Sequence, residues 1–236
     1  MNQYLPLYAR IREQLVQRLS AGEWQPGTVL PSEMALAAEL GVSQGTVRKA
    51  IDSLVSDGAL RRAQGRGTFV AEQTAELANF RFLRITDNKG QRVIPEVVKW
   101  KAVLEHATMT DHRTFGIEPQ SAMHVIHRTR SIEGIPAITE VIRIPDTIMP
   151  GLGDTNLLPN ALYPYYQSAF GVTVLRTEDQ ITAVAANAAS AADLSLPIGS
   201  PLLRSERMAY DLTDRAVEHR ITHVVTQDHA FSVTLG

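Results

Sequence analysis

Four residues between positions 32 and 58 partition the chain into two helices with almost no connection between them. Ser32 is placed to cap a helix whose first turn carries Glu33, and Gly41 is placed to close it. Ser43 then caps a second helix, so only Gly41-Val42 separates the two, and Gly58 follows the second helix. Leu36, Ala37 and Leu40 form one apolar side; Val47, Ile51, Leu54 and Val55 form the other. A connection this short forces the helices to cross around a shared core, the helix-turn-helix arrangement. An earlier helix is predicted from Tyr8, Ile11, Leu15 and Leu19, ended by Gly22, with a turn at Trp24-Gln25-Pro26-Gly27. Downstream, Ala59 to Ala63 and Thr68 to Ala71 flank Gln64-Gly65-Arg66-Gly67, which predicts a β-hairpin with a glycine-rich tip.

Charge gives that surface a meaning. The 236-residue chain holds 23 Lys and Arg against 25 Asp and Glu, a net charge of −2, which excludes a uniformly cationic body. The total hides a division, because residues 1–71 carry 8 basic and 6 acidic residues and residues 72–236 carry 15 and 19. Within 43–70, Arg48, Lys49, Arg61, Arg62 and Arg66 face only Asp52 and Asp57. The excess positive charge therefore falls on the second helix and the hairpin. In a helix-turn-helix the start of the second helix enters the major groove of DNA, and its free amides also favour phosphate. Ser43, Gln44, Thr46, Arg48 and Lys49 lie near that start, with Gly65 and Arg66 at the hairpin tip.

The run from Leu30 to Val70, LPSEMALAAELGVSQGTVRKAIDSLVSDGALRRAQGRGTFV, resembles the winged-helix domain of the GntR family of bacterial transcriptional regulators. The resemblance covers about residues 5–71 and implies that Thr46 and Arg48 contact DNA, with Gly65 at the wing tip close to the minor groove. Where the family often has arginine this chain has Met34 and Gln44. Glutamine suits adenine and arginine guanine, so a different operator is implied.

The rest of the chain repeats itself. Ser121 to Arg128 is echoed by Ser200 to Arg207 at a constant offset of 79, each preceded by an alanine-containing stretch read as helical: His106 to Gly116, then Ala185 to Leu194. Each copy continues through a turn into a second strand bearing a glutamate, Glu140 or Glu218. Two units of helix, strand, turn and strand predict an α+β domain: one antiparallel sheet with helices on one face. The Ala-rich stretch Ile181 to Ala192 reads as a close-packed helix. Residues 72–79 are small and polar and predict a linker between domains at 1–71 and 80–236.

This second part resembles the UTRA ligand-binding domain of the HutC subfamily, with its chorismate-lyase-like fold. The resemblance runs through Arg128-Thr129-Arg130, Ile135 to Glu140, Ala161-Leu162-Tyr163, Pro201-Leu202-Leu203 and Ala216-Val217-Glu218. Arg128 and Arg130 alternate on a strand, share a face and suit a phosphate or carboxylate. The resemblance implies that these two, with Glu140, Glu218 and Tyr163, hold a small effector. Phe80 and Arg81, just after the linker, join the candidate set, Arg81 as a third cation. Amino-sugar-phosphate binders carry small hydroxyl residues after the linker and at the position of Ala161, so an organic acid suits the set as well as a sugar phosphate.

Other chemistry has no support in the sequence. The chain has no cysteine, which removes disulfides and thiolate metal sites. No HExxH, GxSxG or P-loop motif occurs. His219 and His223 are four apart on a predicted strand, which separates them by about 13 Å, too far for one metal. The first residues lack an apolar signal core and no later run reaches a spanning length, so a cytoplasmic protein is expected, with no membrane partner, metal or cofactor. The expectation is a ligand-responsive transcriptional regulator and not an enzyme: a repressor that binds a palindromic operator on double-stranded DNA as a homodimer and is released by a small anionic metabolite. An enzyme with a DNA-binding head and a DNA-binding protein without an effector are the alternatives.

Overall fold

The computed structural model describes residues 5–82, 84–154 and 157–233. The amino-terminal part packs α1 (Leu7–Ser20), α2 (Glu33–Leu40) and α3 (Gln44–Ser56) around Ile11, Leu15, Leu36, Val47, Ile51 and Leu54. Its caps follow the sequence: Ser32 Oγ accepts the Ala35 N–H at 3.1 Å, and Ser43 Oγ accepts the Thr46 N–H at 3.2 Å. Gly41 turns the chain out of α2 at φ +65°, a left-handed conformation that costs a residue with a Cβ about 1 kcal/mol or more. The hairpin is β1 (Leu60–Ala63) paired with β2 (Gly67–Val70). Val29 bridges to Phe69, so the segment before α2 braces the wing on its second side.

The carboxy-terminal part is built on a six-stranded antiparallel sheet among the described residues. Its strands are β4 (Glu96–His106), β5 (Ala122–Ile132), β6 (Ile135–Pro145), β7 (Arg176–Ala185), β8 (Pro201–Tyr210) and β9 (Ala216–Val225), in the spatial order β4-β5-β6-β9-β8-β7. The short strands β3 (Ile85–Asp87) and β10 (His229–Phe231) pair separately. The offset of 79 is visible in space, since β5 starts at Ala122 and β8 at Pro201.

Each repeat also begins with a strand that the sequence reading did not predict and whose end overlaps a stretch read there as helical. His106 ends β4, and only α5 (Met109–Phe115) is helical, started by a Thr108–Asp111 capping box. Likewise Ile181 to Ala185 belong to β7, and only α7 (Ala188–Leu194) is helical, capped by Asn187 and Ser190. Both β4 and β7 are edge strands, exposed along most of their length, so they lack the alternation that marks a half-buried strand.

The helices also lie on both faces of the sheet, not on one. Arg143 of β6 binds Asp111 of α5, and Lys99 of β4 binds Asp193 of α7. On the opposite face, α6 (Leu162–Phe170) sends Tyr163 and Tyr166 to Glu218 of β9. Residue periodicity fixes which side chains share a face, but not which side of the sheet a connection crosses.

The expected linker is largely structured. Residues 75–82 form α4 (Ala75–Phe82), and Gln73 is tied to α6 by its N–H, which donates to Gln167 Oε1 at 2.7 Å. Gln167 in turn donates to Ala71 O at 3.1 Å, and Leu175 and Leu212 pack against the amino-terminal core.

Candidate functional site

Two surfaces concentrate functional chemistry, and the first is the start of α3 with the wing. Gln44, Arg48 and Lys49 are exposed there, while Thr46 is half-buried beneath the cap. Ser43 is occupied with capping and with the Thr46 hydroxyl at 2.9 Å, so it holds the helix start in shape. One carboxylate organises the rest. Glu33 of α2 accepts hydrogen bonds from Arg48 Nε at 2.9 Å, Arg62 Nη2 at 3.0 Å and Gln44 Nε2 at 3.3 Å. Burial alone would raise the Glu33 carboxyl; the Arg48 and Gln44 hydrogen bonds and the arginine charges outweigh it and hold the group below its ordinary range.

Lys49 lies over the Tyr8 ring at 4.0 Å, and Arg61 and Arg66 flank Phe69 at 4.7 and 5.8 Å. Gly65 is exposed at the tip at φ +69°, with nothing within 4 Å of where a Cβ would stand. Gln44 and Arg48 are thus brought together, and Gly65 and Arg66 share the separate wing. Sequence reasoning gave Glu33 only a helix-end role, and missed that it gathers three side chains across the motif. The clustered arginines were the available signal.

The second surface is a cavity of about 90 Å³ between the sheet and α6. Arg128, Arg130, Glu140 and Tyr163 all line it. Arg128 Nε donates to Glu140 Oε2 at 2.8 Å, and Arg220 Nη1 donates to Glu140 Oε1 at 3.3 Å. Burial would raise the Glu140 carboxyl, but Arg128, Arg220 and Arg130 overcome it and hold it well below the carboxylate range. Burial pushes the Arg130 guanidinium down to about 10 despite Glu140, and pushes the Tyr163 hydroxyl up to about 12. Arg130 Nη2 donates to Pro95 O at 2.8 Å, while its buried Nε has no hydrogen-bond partner among the described residues.

Two expected effector residues, Glu218 and Arg81, stand elsewhere. Glu218 is fully buried and does not line the cavity; it accepts from Tyr163, Tyr166 and twice from Arg220. Its lone pairs are spent on positioning those neighbours. Arg81 points away from the cavity, donating to Leu175 O at 3.0 Å and lying against Gly58. Residues of a helix project around its axis, so adjacency to pocket-lining Phe82 does not bring Arg81 to the same space. Phe80 falls in α4, but its side chain lies outside the described residues.

Three arginines that the sequence reading did not place in the site also line the cavity: Arg84, Arg207 and Arg220. Arg207 donates to Asp179 Oδ1 and to Phe82 O, both at 2.8 Å, and Arg220 bridges the two glutamates. Arg207 is the repeat counterpart of Arg128, 79 residues on, so the echo itself pointed to it. Arg220 alternates with Glu218 on β9 and so shares its face.

A family model for bacterial regulatory proteins of the gntR family matches residues 7–70, and one for the UTRA domain matches residues 95–230. The HTH-type transcriptional repressor NagR of Bacillus subtilis (strain 168) is 31% identical over 216 residues, 91% of this chain and 88% of that protein. This chain belongs to the gntR family and carries a UTRA domain. This gntR-family protein is a transcriptional regulator, not an enzyme. The histidine utilization repressor of Pseudomonas putida is 27% identical, over 92% of this regulator and 88% of that one. The crystal structure of PhnF from Mycobacterium smegmatis shares the fold at a TM-score of 0.56, with 24% identity across 96% of this regulator and 99% of PhnF. Among the described residues no helix of the regulator is long and apolar enough to cross a membrane.

Proposed function

We propose that this regulator is a cytoplasmic repressor that grips a palindromic operator as a homodimer and is released by a small anionic metabolite. The head, residues 1–71, inserts the start of α3 into the major groove, where Gln44, Thr46 and Arg48 reach base edges. Lys49 and Arg66 meet phosphates, Ser43 preserves the helix start, and Gly65 lets the wing approach the backbone closely. Residues 80–236 hold the effector and join the two protomers, keeping the heads about 34–36 Å apart, one helical turn of DNA.

The observation that carries the effector reading is Arg130 Nε, a buried donor without a partner among the described residues, in a cavity lined by further arginines. Such a donor is costly unless a ligand or a water supplies its acceptor, and an anionic ligand does so while also meeting the surrounding positive charge. Coupling to DNA then runs through α4. Ala78, Asn79 and Phe82 of that helix line the cavity, and Arg81 of the same helix lies against Gly58 just beyond α3. An anion that draws Arg207 away from Phe82 O loosens the end of α4 and with it the Arg81 contact. To shift operator binding, the metabolite must favour one arrangement of the heads over the other.

The test is a mobility-shift titration on the promoter fragment beside the gene, with a panel of anionic metabolites. At least one metabolite is expected to lower operator affinity in the wild type, with Arg130→Gln blunting the response. If no metabolite changes operator affinity, the effector reading is wrong.

A further inference from the structure

The cavity floor is polar in its first two rows and, apart from Arg130, apolar in its last. The antiparallel register arranges its floor in rows across the strands. Arg207 stands beside Arg220; the next row holds Ser205, Thr222, Glu140 and Arg128; the last holds Leu203, Val224, Ile138 and Arg130. Over that last row Ile85 and Phe231, from the separate β3–β10 pair, complete an apolar wall. The unpartnered Arg130 Nε therefore belongs to a row whose other members are all hydrocarbon.

Charge and acceptor capacity narrow the ligand further. The arginines at the cavity are Arg84, Arg128, Arg130, Arg207 and Arg220, and the carboxylates bonded to them are Glu140, Glu218 and Asp179. Five cations against three anions leave two positive charges for a ligand. The carboxylates and the Asn160 amide oxygen are already engaged, Glu140 by Arg128 and Arg220, Glu218 by Tyr163, Tyr166 and Arg220, and Asn160 Oδ1 by Arg130, which leaves mainly Asn79, Ser205 and Thr222 to receive hydroxyls. A polyhydroxylated ligand would place hydroxyl groups against Leu203, Val224 and Ile138 with few acceptors left to receive them. Each stranded hydroxyl would be heavily penalised.

We propose that the effector is a compact amphipathic carboxylic acid and not a sugar phosphate. Its carboxylate takes Arg130 Nε and the adjoining cationic end. Its branched-alkyl or aryl body lies on Leu203, Val224 and Ile138 beneath Ile85 and Phe231. The volume of about 90 Å³, well under the roughly 300–1,000 Å³ of larger ligand sites, keeps that body small. This inference rests on the effector reading above and adds the ligand class.

Thermal-shift and operator-release measurements on the full chain test it with two sets of probes. One set is isovalerate, 2-oxoisocaproate, benzoate and phenylacetate; the other is glucosamine 6-phosphate, glucose 6-phosphate and inorganic phosphate. At least one acid is expected to raise the melting temperature and release the operator, and neither phosphosugar to do so. Leu203→Asn should weaken that acid about tenfold or more, because it puts an amide against the hydrocarbon body. Leu203→Met, which preserves volume and polarity, should keep binding close to wild type and shows that the site still folds. If a phosphosugar binds and releases DNA while no acid does, the ligand class is overturned and the effector reading stands. If no probe in either set binds, the ligand class is overturned, and the broader metabolite titration on the operator decides the effector reading separately.

Discussion

The most informative single substitution in the head is Glu33→Gln. In the free protein the Glu33 side chain is 15% exposed and binds Arg48 at 2.9 Å and Arg62 at 3.0 Å. Glutamine keeps an acceptor near Gln44 but removes the negative charge that holds Arg48 off phosphate; Arg62 stays bound to Asp52 Oδ1 at 2.6 Å. Each additional phosphate contact steepens the dependence of log affinity on log salt by about 0.9. Freeing Arg48 to meet a phosphate therefore adds about 0.9 to the slope. Between 50 and 200 mM salt, an added slope of about 0.9 is a further loss of about 3.5-fold. Phosphate contacts are blind to sequence, so binding to a scrambled duplex should gain more than binding to the operator, and the specificity ratio should fall. Folding stability should change by about 1 kcal/mol or less, since both arginines are substantially exposed. Fluorescence anisotropy on the operator and a scrambled duplex, each across that salt range, reads both quantities. An unchanged slope together with an unchanged specificity ratio would refute the idea that Glu33 restrains Arg48.

Four further outcomes follow from the same geometry. Arg48→Ala should weaken operator binding by about 1–3 kcal/mol if the residue reads a base, measured by the same anisotropy titration. Leu54→Ala removes a fully buried side chain from the core of the head and should cost about 2–5 kcal/mol in denaturant unfolding. Gly41→Ala should cost about 1 kcal/mol through its φ of +65° alone, because the space beside it is open; thermal melts would detect it. Glu140 has its carboxyl held below its ordinary value of 4.5, so the folded state binds fewer protons than the unfolded chain as pH falls. Its contribution is whole above about pH 5 and is lost progressively as acid approaches its folded value. The stability gap between wild type and Glu140→Gln should therefore be widest near pH 7 and narrow below about pH 4 in urea titrations.

The head was legible from the sequence because its signals are local. Caps at Ser32 and Ser43 act on amides three residues away, and Gly41 and Gly58 act on their own φ. The repeat of 79 residues likewise exposed the equivalent strands β5 and β8. Edge strands β4 and β7 stayed hidden because a strand with one neighbour and two wet faces has no required pattern. Arg81 shows the same limit at a site, since chain proximity to the cavity does not determine which way a helical side chain projects.

By itself, then, the amino-acid sequence determined the winged head, the α+β class of the second part and the pairing of Arg128 with Arg130 on one face. All of these depend on backbone periodicity and short-range hydrogen bonds. Only the tertiary structure decided which charges remain available. Glu33 gathers Gln44, Arg48 and Arg62 from separate elements, and Glu218 is saturated by tyrosines of α6 and by Arg220. Arg130 is left with one buried donor beside an apolar row. Those facts follow from strand register and from the face that α6 covers, and both are settled by long-range burial that no local pattern encodes.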